Sequence, residues 1–288
     1  MSAEATIDPG HPAGSAPVHV TITPPEKWGS FDPRELWAYR ELLYFLTKRE
    51  LQIRYKQSFF GVAWAVAQPV ALALIFTVFF GRLAKVGSDG LPYPVFALSA
   101  LVVWVFTSQC VAQSAGSLLG DSNLLSKVYF PRLAIPLAKV LSLLVDLTVG
   151  VTVVLLCLML YGLGIPVTAP VIIPAIVLAL LTGLGMGFFF AALNVKYRDV
   201  AVAVPLFVQL WLFATPVVYP GSLVSGAWQY VYALNPMVSV VETARWALLG
   251  SPGPSLAGLC ISLAVAIILF LGGLTYFTRT ERYFADII

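Results

Sequence analysis

Few side chains in this sequence have a setting suited to chemistry. Asp146 is the one carboxylate well inside a long apolar run, and Lys139 stands two helical turns before it. An acid in that position marks either a proton relay or a polar contact between helices. A relay usually gathers several carboxylates, so a single one favours a packing hydrogen bond or a group facing a polar path. Cations collect at the ends of the apolar runs: Arg54, Lys56, Lys127, Arg132, Lys196 and Arg198. They suit a strong anion such as a phosphate ester, and they serve equally as the positive flank of an inserted helix. Glu242 and Arg245 stand three residues apart, and an exposed pair at that spacing contributes only ~0.2–0.5 kcal/mol. A gating role for them would need a partner across a dimer. Trp64, Trp104, Phe106, Trp211, Phe213 and Tyr219 lie in or beside the apolar runs. Aromatic faces stack on sugar rings, and they also form interfacial belts.

Several chemistries have no residues to support them. The sequence contains no G-x-x-x-x-G-K-[ST] loop, no H-E-x-x-H motif and no nucleophile elbow. Cys110, Cys157 and Cys260 sit inside apolar runs and read as small hydrophobes, with no disulfide or metal spacing. His11 and His19, the only histidines, fall in the polar N-terminal stretch. Asp121, Asp199, Glu281 and Asp286 are not paired in an acid-x-acid motif. The chain is therefore expected to bind no metal and no cofactor, and to catalyse no covalent reaction.

The elements that position these residues follow from composition. Of 288 residues, 59% are hydrophobic and 11% charged, with a mean hydropathy of +0.87. Soluble domains carry roughly a quarter charged residues, so hydrocarbon is the natural solvent here. The expected fold is an all-α polytopic membrane protein. Six apolar segments, at 61–80, 94–114, 133–161, 171–193, 200–218 and 256–277, approach or exceed the ~20 residues that cross a bilayer. Residues 1–31 are rich in Pro, Ala, Gly, Ser and Thr and read as a disordered tail. Residues 32–58 read as an amphipathic helix on the membrane surface. Asp32, Pro33 and Glu35 form its capping box, and Arg34, Arg40, Lys48 and Arg49 its basic side. No signal peptide is visible.

With the N-terminus in the cytoplasm, every Lys and Arg except Arg82, Lys85 and Arg245 falls on the inner side. That bias places both termini inside. The inner segment 123–132, with Asn123, Lys127, Tyr129 and Arg132, is short and limited by Pro131. Such a segment can dock a partner and transmit its motion. Two short helices, at 222–234 and 236–249, are expected on the outer face. The second has Asn235 as cap, Pro236 at its first position and Gly250 at its end. Together they suit a gate. Gly183, Gly185 and Gly187 allow close helix contact.

Taken together, the segments resemble the permease subunits of type-two ABC exporters, in the branch that exports O-antigen, teichoic acid and cell-wall galactan. The run Leu46–Pro69 is similar to that family's N-terminal signature, and Asn123–Leu137 and Leu193–Val200 to its inner motifs. Ala214–Pro220 and Leu234–Pro236 are similar to its outer gate region, and Glu281–Ile288 to its ending. The resemblance implies a homodimer in a bacterial plasma membrane, bound to two copies of a P-loop ATPase that hold ATP and Mg. It implies a polysaccharide on a lipid diphosphate as cargo, and no nucleic acid. On that likeness Arg54, Lys56, Lys196 and Arg198 would meet the headgroup at the inner mouth. Asn123, Lys127, Tyr129 and Arg132 would couple to the ATPase, the six aromatics would line the sugar path, and Asn235, Glu242 and Arg245 would close the outer gate. The residues alone leave other readings open: an ABC exporter of a small drug or lipid, a membrane glycosyltransferase, or an ion-coupled flippase.

Overall fold

The computed structural model describes residues 33–56, 61, 63–121 and 130–281. Among them all regular structure is helical. Asp32, the side chain of Glu35, the tail at 1–31, Asn123, Lys127, Tyr129 and residues 282–288 lie outside the described residues. The amphipathic segment forms two helices, α1 (Pro33–Ala38) and α2 (Arg40–Tyr55). Then come α3 (Ala63–Phe76), running on as a π-helical stretch over Thr77–Leu83, α4 (Tyr93–Gly120), α5 (Ala134–Leu160) and α6 (Ile172–Lys196). The chain continues through α7 (Val200–Phe213), α8 (Trp228–Tyr232), α9 (Pro236–Leu249) and α10 (Leu256–Thr280).

Five helical stretches are long and apolar enough to cross a membrane: Ala63–Leu83, Tyr93–Gly120, Ala134–Leu160, Ala169–Lys196 and Leu256–Thr280. The sixth apolar segment is shorter than its hydropathy suggests. α7 stops at Phe213 after 14 residues, and that length gives about 21 Å against ~30 Å of hydrocarbon. Residues 214–220 then fold back as an irregular buried turn. Of the two short helices expected next, the first shrinks to a 3-10 turn at Gly221–Leu223 and the five residues of α8. The second forms as expected. The Asn235 side chain accepts from the Met237 N–H, and Gly250 closes α9 with φ at 65°, in the left-handed region.

α4 is the axis of the bundle, packing against α3, α5, α6, α7 and α9. In its apolar window 78% of residues are buried, against 17–44% in the other four. The others turn apolar faces outward, such as Leu74 and Phe79 on α3, Val202, Leu206 and Leu210 on α7, and Ile268 and Leu271 on α10. Water would not tolerate that much aligned apolar surface, whereas lipid would.

The glycines of α6 divide between two neighbours. Gly183 and Gly187, one turn apart, face α4, where an added Cβ would meet Cys110 Cβ at 2.8 Å and Ser114 Cβ at 2.8 Å. Gly185 points the other way, toward the backbone of Leu269 and Phe270 in α10. Gly273 of α10 faces back, and a Cβ there would overlap the Gly185 carbonyl. The absence of side chains thus lets α6 sit closely between two helices.

A second apolar cluster lies at the end of the bundle where the lysines and arginines gather. Leu46 of α2 is buried there among Leu118, Phe130, Ala134, Phe188, Val195 and Phe277. α2 then runs beside the first half of α5. The basic side expected to face lipid headgroups is divided: Arg40 and Lys48 are exposed, while Arg49 turns to a protein carboxylate.

Gly273→Ala should lower the melting temperature of the detergent-solubilised protein, because the new methyl meets backbone that cannot swing aside. Overpacking of this kind costs about 1–3 kcal/mol, or about 2–5 °C for a chain of this size. Gly272→Ala, where a Cβ meets nothing within 4 Å, should leave it unchanged. Equal melting curves for the two variants would refute the backbone contact.

Candidate functional site

α2 is fastened to the bundle by charged side chains. Glu50 accepts from Lys139 Nζ at 3.2 Å, and Lys139 lies 3.4 Å from Asp121 at the end of α4. Asp121 also pairs with Arg49. One turn beyond Glu50, Arg54 pairs with Asp146 near the midpoint of α5 and donates to Gln113 Oε1 of α4 at 2.7 Å. The Tyr55 hydroxyl donates to the other Asp146 oxygen. The spacing explains the register. Lys139 and Asp146, two turns apart, present one face of α5 to the last two turns of α2. Asp146 thus meets both plain expectations, since it packs helices together and also faces a cavity.

That cavity, of about 320 Å³, lies between α2, α3, α4 and α5. Arg54, Asp146, Gln68, Gln109 and Gln113 form its polar wall, with Trp64 and Phe106 as aromatic members. Gln113 Nε2 donates to Gln109 Oε1 at 3.1 Å. The ion pair is mostly buried, with side chains 24% and 23% exposed, so the charges are poorly screened and hold each other strongly. A guanidinium, several amides and an indole ring in one cleft suit an anionic or hydroxylated ligand.

The opposite end of the bundle is organised by two side chains. Asn235 uses its full hydrogen-bonding capacity. Its Oδ1 accepts from the Met237 N–H at 3.1 Å and the Trp211 indole at 3.0 Å. Its Nδ2 donates to the Ala214 carbonyl and to Thr215 Oγ1, each at 3.0 Å. Arg245 donates to the Val217 carbonyl at 2.8 Å and the Tyr219 carbonyl at 3.3 Å, and its guanidinium lies 3.6 Å from the centre of the Phe96 ring. Tyr93 supplies the remaining donor, to the Val218 carbonyl at 2.6 Å. Both terminal nitrogens of Arg245 are therefore spent on carbonyls, and among the described residues it makes no ion pair with Glu242, three residues before it. Burial pushes the Glu242 carboxyl above the usual carboxylate range, opposed by the charge of Arg245.

Residues 41–249 match the ABC-2 type transporter family. The chain belongs to that family. Similar proteins include an O-antigen export system permease protein of Myxococcus xanthus, 32% identical over 88% of this chain and 98% of that one. Another of the same description, from Klebsiella pneumoniae, is 27% identical over 86% and 95%. A polysialic acid transport protein of Escherichia coli is 25% identical over 81% and 91%.

The part of this ABC-2 chain matching the family contains both the Arg54–Asp146 cluster and the Asn235–Arg245 turn. Of the residues singled out in the sequence, Arg54, Trp64 and Phe106 come together at one cavity. Lys56 is exposed just beyond α2, and Lys196 and Arg198 are exposed at the end of α6, off this cavity. Trp104 and Trp211 instead pack edge to face at 5.1 Å, joining α4 to α7. Phe213 is 55% exposed. The Tyr219 hydroxyl donates to the Phe213 carbonyl at 3.1 Å and lies 2.7 Å from that of Tyr232. The Arg132 N–H donates to Glu281 Oε1 at 3.0 Å, tying the start of α5 to the end of α10. Sequence reasoning passed over Tyr55, Gln68, Gln109 and Gln113. The visible signal was Gln109 and Gln113, two amides one turn apart in an apolar helix.

Arg54→Gln and Asp146→Asn should each destabilise the solubilised protein by about 1–3 kcal/mol, because each leaves a buried charge without its partner. The double variant should lose less than the sum, with a coupling energy on the order of 1 kcal/mol. Strict additivity in thermal melts would show that the pair does not hold α2. Asn235→Ala should expose residues 214–235 to limited proteolysis while leaving cleavage elsewhere unchanged; equal cleavage would refute its role in holding that turn.

Proposed function

We propose that this chain forms half of the membrane pore of an ATP-driven exporter that moves lipid-linked polysaccharide out of the cytoplasm. Two copies would enclose the path, and a separate P-loop ATPase, binding ATP and Mg, would drive them. The observation that carries the reading is the likeness to permeases named for O-antigen export over nearly their whole length. The Arg54 cavity supports it physically. It sits at the Lys- and Arg-rich end, which the positive-inside bias assigns to the cytoplasm of a bacterial plasma membrane with both termini inside. A lipid diphosphate entering there would find the Arg54 guanidinium, with Lys56 close by in sequence, and the amides and Trp64 would suit the first sugars. The exposed apolar faces of α3 and α7 supply surface for a second copy. α9 and the turn it holds would close the outer end. In this reading the segment 123–132, with Asn123, Lys127, Tyr129 and Arg132, docks the ATPase.

Purification of the tagged chain from its host in mild detergent should bring down an ATPase in roughly equal amount, whose activity is lost when its P-loop Lys is replaced. Lys127→Glu should reduce the amount recovered. A chain that purifies alone as an intact dimer, with no ATP hydrolysis, would overturn the proposal in favour of ion coupling.

A further inference from the structure

A second cavity, of about 530 Å³, opens at the other end of the bundle, beside the turn that Arg245 holds. Its volume falls in the ~300–1,000 Å³ range of small-ligand sites. Glu242 and Arg245 line it from α9, Gly221 and Ser222 from the 3-10 turn, and Tyr232 from α8; the loop Ser251–Ser255 closes another side. Two features distinguish it from a solvated crevice. Among the described residues the half-buried Glu242 carboxylate has no hydrogen-bond or ion-pair partner, and Gly221 is pressed so closely to it that any Cβ there would overlap Oε1. Arg245 is 4% exposed, and its Nε is buried without a partner although both terminal nitrogens are used. A buried donor without a partner is costly, and the Arg245 Nε stands one turn from the Glu242 carboxylate that lines the cavity.

The wall chemistry selects the ligand. A cation would have only Glu242 and the exposed Asp89 as acids, and Arg245 beside them repels it. An apolar molecule would leave the Glu242 carboxylate without a donor. A neutral polyol supplies adjacent hydroxyls that donate to Glu242, accepts from its surroundings, and lays its C–H face on Pro252 and Pro254. We propose that this cavity binds one or two pyranose units of a neutral saccharide, with Glu242 as the principal acceptor. The assignment rests on the polysaccharide-export reading, for which it is a contact on the far side of the pore.

The test uses the full-length chain in detergent and saturation-transfer NMR with tetrasaccharides derived from mannan, galactan and rhamnan. At least one should bind saturably in the millimolar range. Glu242→Gln should weaken it about tenfold, the loss of a hydrogen bond to a charged acceptor. Ser222→Trp, which fills the cavity without touching the buried charges, should abolish it. Gly272→Ala, which lines neither cavity and meets nothing within 4 Å, should leave it unchanged. Absence of saturable binding by all three, or binding indifferent to both cavity variants, overturns the proposal. So does saturable uptake of calcium, followed by calorimetry, that Glu242→Gln removes. A chain that recruits the ATPase and exports polymer but fails here loses only this site. A chain that binds saccharide through Glu242 yet recruits no ATPase loses only the exporter reading.

Discussion

Hydrocarbon offers no hydrogen bonds, so every backbone carbonyl within it needs a donor from the protein itself. In the long helices the backbone meets this demand alone. Residues 214–220 do not, because α7 ends early and the chain turns back while buried. Val217 and Val218 are 0% and 3% exposed, and the turn persists because side chains serve its carbonyls. Asn235 serves Ala214, Tyr93 serves Val218, and Arg245 serves Val217 and Tyr219. That is why this arginine can be 4% exposed. Its charge is stabilised by carbonyl dipoles and the Phe96 ring, with no carboxylate in direct contact.

α4 connects this turn to the opposite end. Tyr93 and Phe96, in its first turn, engage the buried turn and Arg245. Gln113 and Asp121, at its other end, engage Arg54, Arg49 and Lys139. Its 28 residues span about 42 Å, and its buried Ser99, Thr107 and Ser117 bond back to carbonyls of their own helix. The polar groups that hold the two ends are thus joined by one continuous helix packed on nearly all sides. The glycines of α6 reinforce it, since two of the three let α6 settle directly against α4.

At the Lys- and Arg-rich end the cations on and just beyond α2 are divided between those paired with a carboxylate and those left exposed. Arg49 and Arg54 are committed to Asp121 and Asp146, whereas Arg40, Lys48 and Lys56 remain exposed. The committed cations fix where α2 lies, and Arg54 also lines the cavity.

Much of this was legible in the sequence. The helical class, the apolar segments, the Asn235–Pro236 start and Gly250 end of α9, and the close contacts of Gly183, Gly185 and Gly187 all follow from local rules. Apolar run length, cap chemistry and the missing Cβ act within a few residues, and a sequence displays them directly. What the tertiary structure alone decided is pairing. Arg54 and Asp146 stand 92 residues apart, and no periodicity says that one neutralises the other. The same holds for Arg245, whose nearest acid in sequence, Glu242, is not its partner, because four carbonyls of an irregular turn had a stronger claim on the donors around them. The early end of α7 also escaped the sequence. Hydropathy measures the cost of leaving hydrocarbon and says nothing of backbone path, so an apolar turn served by side chains looks the same as a helix.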